Sequence, residues 1–166
     1  MNEVVVLLGS NLGDGYALFQ QATDLLEKEV GKRIMHSSIY KSPPWGFEHD
    51  NDFLNQVLVL ETNYDPEKVL IICLSIEEKM GRVRSSKKEY EPRIIDIDLL
   101  FMEDKIIATK DLSLPHPRLH LRKFVLLPLV ELMPDFIHPT LNKSVQELLT
   151  LCKDKSEVLK QCCIHT

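Results

Sequence analysis

The 166-residue chain lacks the segments that would place it in a membrane or export it from the cell. No apolar run approaches the roughly 20 residues that a membrane-spanning helix needs. The first ten residues, Met1–Ser10, have neither the basic region nor the small-residue cleavage site of a signal peptide. We therefore expect a soluble, cytoplasmic protein with no membrane partner.

Cysteine is scarce, and its spacing fits neither a zinc site nor a disulfide framework. The four cysteines, Cys73, Cys152, Cys162 and Cys163, include no CxxC pair, which argues against a zinc site and a disulfide framework and favours a reducing compartment. The chain also lacks internal repeats, low-complexity segments and linkers. A hydrophobic fraction of 44% is enough for a core. We expect one domain over residues 1–166, with residues 150–166 forming a loosely held tail.

The familiar nucleotide-binding motifs are missing as well. The glycine-rich stretch Gly9–Gly15 matches neither GxGxxG nor GxxxxGK[ST], so neither a dinucleotide-binding fold nor a P-loop is supported. A tight strand-to-helix turn is the simpler interpretation, and a backbone surface for a ligand is the alternative.

The charge distribution points to a small anionic ligand. A net charge of −5 argues against nucleic acid as a partner. Between residues 82 and 93, however, two acids, Glu89 and Glu91, are outnumbered by five basic residues: Arg82, Arg84, Lys87, Lys88 and Arg93. Such a segment suggests a small polyanion as ligand, although on charge alone a solvated basic loop is the favoured interpretation.

Hydrophobic periodicity predicts the element order β-α-β-β-α-β. The four strands are expected at Val4–Leu8, Arg33–Ser42, Phe53–Thr62 and Arg93–Phe101. The first helix has apolar residues at helical spacing from Leu18 to Leu26 and stops at Gly31, and the second begins at Asp65-Pro66 and ends at Gly81.

Beyond the fourth strand we expect a short strand at Ile106-Ile107, an apolar helical stretch Phe124–Met133 interrupted at Pro128, and a short helix near Ser144–Leu151. The predicted class is α+β: a ferredoxin-like antiparallel sheet with helices packed on it and a C-terminal helical extension.

The stretch Glu91–Phe101, EPRIIDIDLLF, raises the main functional question. Alternation places Asp96 and Asp98 on one face of a strand, with Cα atoms roughly 6–7 Å apart. It also predicts that the opposite, core-facing side carries Ile95, Ile97, Leu99 and Phe101. Two carboxylates this close repel unless a cation lies between them, and oxygen ligands favour Mg²⁺ or Mn²⁺. By itself, the pair fits equally well two ordinary acids on an exposed strand face.

Basic residues near the aspartates favour the metal interpretation. Arg93 lies just upstream of the two aspartates, and the basic loop Arg82–Lys88 leads into the strand. His116 follows in LPHP, with Arg118 and Arg122 close behind. Carboxylates that hold a metal and arginines that hold phosphate are the parts of a phosphoryl-transfer site.

An aromatic and amide set suggests a place for a flat heterocycle. Phe53 and Asn55 fall on the same strand face, and Trp45 follows two prolines in a loop. A flat ring could stack on the aromatic groups and hydrogen-bond to the amide. The simpler interpretation is that Phe53 belongs to the core and Trp45 covers an edge.

Six motifs in order resemble one known family over about residues 5 to 130. They are LLGSNLGD, YKSPPWG, NDFLNQVL, EEKMGRVR, EPRIIDIDLLF and LPHPRL. The sequence resembles the 6-hydroxymethyl-7,8-dihydropterin pyrophosphokinases of folate biosynthesis. The resemblance implies that ATP donates its β,γ-diphosphate to the pterin hydroxymethyl group, leaving AMP, with two Mg²⁺ ions as cofactors.

The resemblance also implies roles for individual residues. Asp96 and Asp98 would hold both metal ions and, with Arg82 and Arg93, form the catalytic set. The triphosphate would be met by Arg82, Arg84, Arg93, His116 and Arg122, and the adenosine by Glu77. The pterin ring would lie between Phe53 and Phe124, with its edge and surroundings formed by Asn11, Ser42, Pro44, Trp45 and Asn55. The loops Pro43–Asn51 and Val83–Pro92 would close over the substrates.

Some positions depart from the family pattern, and two other functions stay open. Glu89, Glu91 and Asp111 reduce the positive charge on the phosphate side. One rival is another metal-dependent phosphoryl enzyme, such as a polymerase palm or a nucleotide cyclase. The other is a ligand-binding or regulatory module, in which the aspartates are ordinary surface acids. We expect a monomer that binds ATP and a reduced pterin, with association to other folate-pathway enzymes as an open alternative.

Overall fold

The computed structural model describes residues 1–11, 14–43, 52–81 and 94–161. Its elements in chain order are β1 (Asn2–Ser10), α1 (Gly15–Glu29), β2 (Lys32–His36), β3 (Tyr40–Ser42), β4 (Phe53–Thr62), α2 (Pro66–Lys79), β5 (Asp96–Met102), β6 (Ile107–Ala108), β7 (Ser113–Leu114), a 3₁₀ turn (Leu119–Leu121), α3 (Lys123–Leu132), α4 (Val145–Leu151) and β8 (Leu159–Lys160). The predicted α+β class is confirmed. Among these helices, none has the length and apolarity to cross a membrane.

One antiparallel sheet organises the molecule. Its strand order is β5-β1-β4-β3-β8, and β2 pairs with β4 as well. A separate two-stranded sheet joins β6 to β7. The long strands β1 and β4 therefore lie inside the sheet, and β5 lies at one end of the strand order.

Helices cover both faces of the main sheet. Residues of α1 and α2 pack on one face against Val4, Val6 and Leu8 of β1. Residues of α3 and α4 pack on the other face against Val5 and Leu7. Because both faces are buried, β1 is a continuous apolar run rather than an alternating one.

The second predicted strand, over residues 33–42, is wrong in one respect, because it forms two strands. His36 pairs with Leu58 and Tyr40 with Asn55, so three residues of this segment face only two of β4. Ser37 fills the irregularity, since its hydroxyl accepts a hydrogen bond from the Val57 amide at 2.9 Å. The extra residue breaks the ladder and separates β2 from β3.

The predicted face of Phe101 is also wrong. Ile95, Ile97 and Leu99 face α1 and α2 as expected, but Phe101 packs in the cluster with α3 and α4. The register between β1 and β5 shifts at Val5/Val6, so that Leu100 is an additional residue. A bulge of this kind changes the face on which the following side chains fall.

Helix ends follow the predicted signals, with one correction. Asp65 caps α2 by accepting a hydrogen bond from the Lys68 amide at 2.9 Å, and Gly81 beyond its end has a φ of +93°. The expected interruption at Pro128 is wrong, because α3 continues through it. Pro128 is buried in that helix, and packing against the sheet offsets the hydrogen bond that proline removes.

The C-terminal part differs from the expected loose tail as far as it is described. Leu159–Lys160 pair with β3 as strand β8. Residues 162–166, including Cys162 and Cys163, lie outside the described ranges.

Candidate active site

Three neighbouring strands bring an amide, a glycine and a carboxylate into one row. Gly9 of β1 pairs with Asn55 of β4 on one side and with Asp96 of β5 on the other. A Cβ atom at Gly9 would lie 3.2 Å from Asn55 Oδ1 and 3.9 Å from Asp96 Cβ. The glycine therefore leaves open the space between the two side chains.

A second row lies two residues before Gly9 in β1. Leu7 pairs there with Val57 and with Asp98, and Leu7 and Val57 belong to the cluster under α3 and α4. The face is therefore closed by apolar packing on one side of this row and opens towards Gly9 on the other.

A cavity of about 100 Å³ occupies that open end. Its described walls are Leu7, Gly9, Ser42, Pro43, Phe53, Asn55, Asp96, Asp98, Arg122 and Phe124. The Asn55 amide nitrogen donates to Ser42 Oγ at 3.4 Å, and both side chains are buried. Arg122 lies beside Phe124, with the guanidinium carbon 5.8 Å from the ring centroid. The arrangement combines aromatic surface with directional polar groups, as a flat polar ligand requires.

A second cavity, of about 450 Å³, lies between α2, β5 and the segment that contains His116. Its walls are Leu70, Leu74, Glu77, Asp96, Ile97, Asp98, Leu99, Asp111, Leu112, Ser113, His116 and Pro117. Glu77 is only 2% exposed, and its Oε2 accepts a hydrogen bond from the Ile97 amide at 2.8 Å. This contact ties α2 to the backbone between the two aspartates.

His116 is held as a neutral donor. Burial, followed by the charges of Arg122 and Arg118, lowers the pKa of His116 to about 4. Its Nδ1 accepts a hydrogen bond from the Arg118 amide at 3.2 Å. The proton of the neutral ring is therefore on Nε2, which can donate to an anionic oxygen.

Asp96 and Asp98 line both cavities. Within residues 1–11, 14–43, 52–81 and 94–161, no group of three or more His, Cys, Asp or Glu side chains comes together to enclose a metal. Two carboxylates fit Mg²⁺ nonetheless, because this ion commonly takes one or two carboxylates and completes its shell with water and substrate phosphates.

Comparison with known proteins assigns the chain. The family model for 7,8-dihydro-6-hydroxymethylpterin-pyrophosphokinase (HPPK) matches residues 5–134. The chain belongs to the HPPK family. The resemblance seen in the six motifs is thereby confirmed.

Named relatives agree with this assignment. The 2-amino-4-hydroxy-6-hydroxymethyldihydropteridine pyrophosphokinase of Aquifex aeolicus is 38% identical over 166 residues, covering 99% of this chain and 98% of the relative. The enzyme of that name from Methylorubrum extorquens is 39% identical over 138 residues, covering 82% of this chain and 86% of the relative. The folic acid synthesis protein fol1 of Schizosaccharomyces pombe is 38% identical over 150 residues, and the match spans 89% of this chain and 20% of fol1.

Solved structures show the same fold. The Plasmodium falciparum HPPK-DHPS structure with pteroate superposes with a TM-score of 0.75 at 21% identity, covering 90% of this chain and 42% of the other. The wild-type structure from the same organism gives a TM-score of 0.73 at 20% identity, covering 90% and 44%.

Most of the HPPK residues predicted from sequence fall on one of the two cavities. Ser42, Phe53, Asn55 and Phe124 line the smaller one, and Glu77 and His116 the larger. Arg122, expected at the triphosphate, lines the smaller cavity, although Asp96 and Asp98 are also there. Asn11 is 5% exposed and is not a wall residue of either cavity. Pro44, Trp45, Arg82, Arg84 and Arg93 lie outside the described residues, so their roles stay predictions.

Several wall residues were missed in the sequence. Leu70 and Leu74 are two of them: they precede the predicted Glu77 by seven and three residues, so all three share one helix face, and this spacing could have shown it. Gly9 offered only turn chemistry, because its place between Asn55 and Asp96 depends on strand register. Asp111, noted only as a departure from the family pattern, lines the larger cavity.

Proposed function

We propose that this HPPK transfers the β,γ-diphosphate of ATP to the hydroxymethyl group of 6-hydroxymethyl-7,8-dihydropterin, releasing AMP, as a step of folate biosynthesis. The observation that carries the proposal is that one pair of carboxylates, Asp96 and Asp98, lines two cavities of different chemistry. A transfer between two bound molecules needs such a shared wall, because donor phosphorus and acceptor oxygen must meet there.

The smaller cavity is the proposed pterin site. Phe53 and Phe124 supply ring surface, and the buried Asn55–Ser42 pair supplies hydrogen-bonding groups for the edge of the heterocycle. Arg122 lines this cavity beside Phe124, together with the two carboxylates, and can neutralise an incoming phosphate.

The larger cavity is the proposed nucleotide site. Leu70 and Leu74 offer an apolar surface for the base, and Glu77 stands on the same helix face for the adenosine. The neutral His116 donates from Nε2 to a phosphate oxygen. Arg82, Arg84 and Arg93 complete the triphosphate contacts in this proposal, and Arg82 and Arg93 also act in catalysis.

The metal assignment extends the same geometry. Asp96 and Asp98 would hold two Mg²⁺ ions, which supply charge neutralisation and orientation of the phosphate oxygens when bound. In this proposal the side chains align the pterin hydroxyl with the β-phosphorus of ATP. No side chain acts as a covalent nucleophile. We also propose that the loops Pro43–Asn51 and Val83–Pro92 close over the substrates. Almost all of their residues lie outside the described ranges.

The ferredoxin-like strand arrangement, the cellular location and the oligomeric state are also proposals. The strand order β5-β1-β4 followed by β2 and β3, with all these pairings antiparallel, supports a ferredoxin-like arrangement. We propose that the protein acts as a cytoplasmic monomer. In fol1 the match covers only a fifth of the relative's own length. Longer relatives of this kind support the alternative that the protein associates with neighbouring folate-pathway enzymes.

Product analysis tests the function. The purified protein is incubated with ATP, Mg²⁺ and reduced hydroxymethylpterin, and the products are identified by mass spectrometry. We expect AMP and pterin diphosphate in equal amounts, and neither when pterin or Mg²⁺ is omitted. Release of pyrophosphate or ADP would instead support a different phosphoryl enzyme and overturn the proposal.

Calorimetry separates the enzyme from a regulatory module. A non-hydrolysable ATP analogue should bind much more tightly with Mg²⁺ than without it, because two adjacent carboxylates repel an uncompensated triphosphate. Binding that is indifferent to Mg²⁺ would support the module.

A further inference from the structure

The helix that carries the pterin-stacking ring does not cap itself. Helix α3 begins at Lys123, and Phe124 is its second residue. Arg122 occupies the cap position, and its side chain makes no cap hydrogen bond. The first amides of a helix need an acceptor from elsewhere, and an uncapped first turn frays.

Asp154, 31 residues further along the chain, supplies that acceptor. Its Oδ2 accepts a hydrogen bond from the Lys123 amide at 3.0 Å. Its Oδ1 accepts from the Ser156 amide at 2.9 Å, which fixes the orientation of the carboxylate. Burial acts to raise the pKa of Asp154, but the hydrogen bonds from Ser156 and Lys123 outweigh it and lower the pKa. The cap is therefore an ionised acceptor at the positive end of a helix.

The chain then continues to β3, which supplies another wall residue of the same cavity. Residues 152–161, which we call the C-terminal strap, end in β8, where Lys160 pairs with Tyr40 and Leu159 with Lys41. The Gln161 amide adds a hydrogen bond to the Ile39 carbonyl at 2.8 Å. The strap thus holds β3, whose last residue is Ser42 in the smaller cavity.

Glu131 near the end of α3 completes the connection. Its Oε1 lies 3.4 Å from Lys160 Nζ and accepts from the Ser38 hydroxyl at 2.7 Å, and its Oε2 accepts from the Ser38 amide at 2.8 Å. Tyr40 of β3 donates its hydroxyl to the same carboxylate at 3.2 Å. Helix α3 is therefore tied to the strap at its first turn and near its last.

We propose that Asp154 is a positioning residue for the pterin site: by capping α3 from the C-terminal strap, it sets the place of Arg122 and Phe124 relative to Ser42 in the same cavity. The proposal rests on the proposed function for the identity of the ligand. The match to the HPPK family model ends at residue 134, so no part of the strap is included in it.

A set of cap variants tests the proposal. Asp154→Ala should raise the KM for the reduced pterin about five- to tenfold, the range expected from the loss of a helix cap, and leave the KM for ATP within about twofold. Asp154→Asn keeps an acceptor oxygen and should recover most of the loss. Asp65→Ala is the matched control, because Asp65 caps α2 through a single hydrogen bond of 2.9 Å and lies in neither cavity. It should lower the melting temperature without changing the KM for pterin.

A second measurement does not depend on turnover. Amide hydrogen exchange at Lys123 and Phe124 should speed up in Asp154→Ala and not in Asp65→Ala, and binding of oxidised 6-hydroxymethylpterin should weaken in parallel. An unchanged pterin KM in a folded Asp154→Ala protein, or an equal rise for pterin and ATP, would overturn the positioning role. Wild-type protein that forms no AMP and binds no pterin would instead refute the proposed function.

Discussion

The two cavities differ in what their walls can recognise, although they share Asp96 and Asp98. The smaller cavity has two phenylalanine rings and a buried amide–hydroxyl pair, which suit one flat, polar ring. The larger has aliphatic side chains of α2, a buried glutamate and a neutral histidine, and it has the greater volume. In the proposed function, recognition is therefore divided between the two cavities, and the chemistry takes place at the carboxylates that line both.

Their construction differs as well. The smaller cavity sits on a rigid surface, since its floor is formed by three paired strands, β4, β1 and β5. The larger lies between α2, β5 and the segment around His116, so only one strand of the main sheet contributes to it. We expect ligand recognition in the larger cavity to depend less on strand register and more on the spacing of residues along the face of α2.

Removing either shared carboxylate should abolish the reaction, whichever ligand each cavity binds. Asp96→Ala and Asp98→Ala should each reduce turnover by at least about 10³-fold, the scale for removing a charge-stabilising group from a phosphoryl-transfer site. Steady-state AMP formation measures this, and a melting curve checks the fold. Asp104→Ala, an exposed acid in the turn after β5, is the control and should keep full activity. Near-normal turnover in either aspartate variant would contradict the two-metal assignment.

A change on the aromatic wall should affect only the pterin. Phe124→Ala should weaken pterin binding by roughly tenfold to a hundredfold, because stacking on one heterocycle contributes about 1–3 kcal/mol. Binding of an ATP analogue should change by less than about twofold. Phe124→Leu keeps apolar bulk without a ring and should fall between wild type and alanine. Equal losses for both ligands, measured by calorimetry, would refute the separation of the two sites.

The reciprocal change belongs to the larger cavity. Leu74→Trp puts a bulky ring into the proposed base site, where overpacking costs about 1–3 kcal/mol, so that ATP-analogue binding should weaken about tenfold. Pterin binding should stay within about twofold. Leu151→Trp, at a position that is 60% exposed on α4, is the matched control. Weaker pterin binding with unchanged nucleotide binding would reverse the assignment of the cavities.

The last prediction concerns the stability of the fold rather than binding or turnover, and its expected effect is a pH dependence. The pKa of His116 is lowered from its ordinary 6.5 to about 4, so the unfolded chain binds its proton more readily than the folded one. The contribution of His116 to the free energy of unfolding is therefore complete above pH 6.5 and is lost as the pH falls towards 4. His116→Gln should show a shallower decline of melting temperature over that window. An identical decline in both proteins would contradict the lowered pKa.

Local patterns predicted much of the site. Alternation was sufficient to place Asp96 with Asp98, and Phe53 with Asn55, on common strand faces. The same reasoning failed for Phe101, because a bulge in the pairing of β1 with β5 places this side chain on the other face of the sheet. The sequence of either strand alone does not indicate that bulge. It also could not place Gly9 between Asn55 and Asp96, since register is a long-range property.

The remaining surprises have the same origin. The position of Arg122 in the wall of the smaller cavity depends on the path of residues 111–122 around the sheet, which short motifs do not encode. The cap from Asp154 joins residues 31 positions apart, and a lone aspartate near the end of a chain indicates no partner. By contrast, the local caps at Asp65 and Gly81 were predicted because their partners lie within one turn.

The most direct test of the shared wall is a crystal structure with a non-hydrolysable ATP analogue, 6-hydroxymethylpterin and Mg²⁺. We predict that Asp96 and Asp98 each ligate Mg²⁺ at about 2.1 Å, with the pterin in the smaller cavity and the nucleotide in the larger. Carboxylates that point away from any ion, or both ligands in one cavity, would contradict the account.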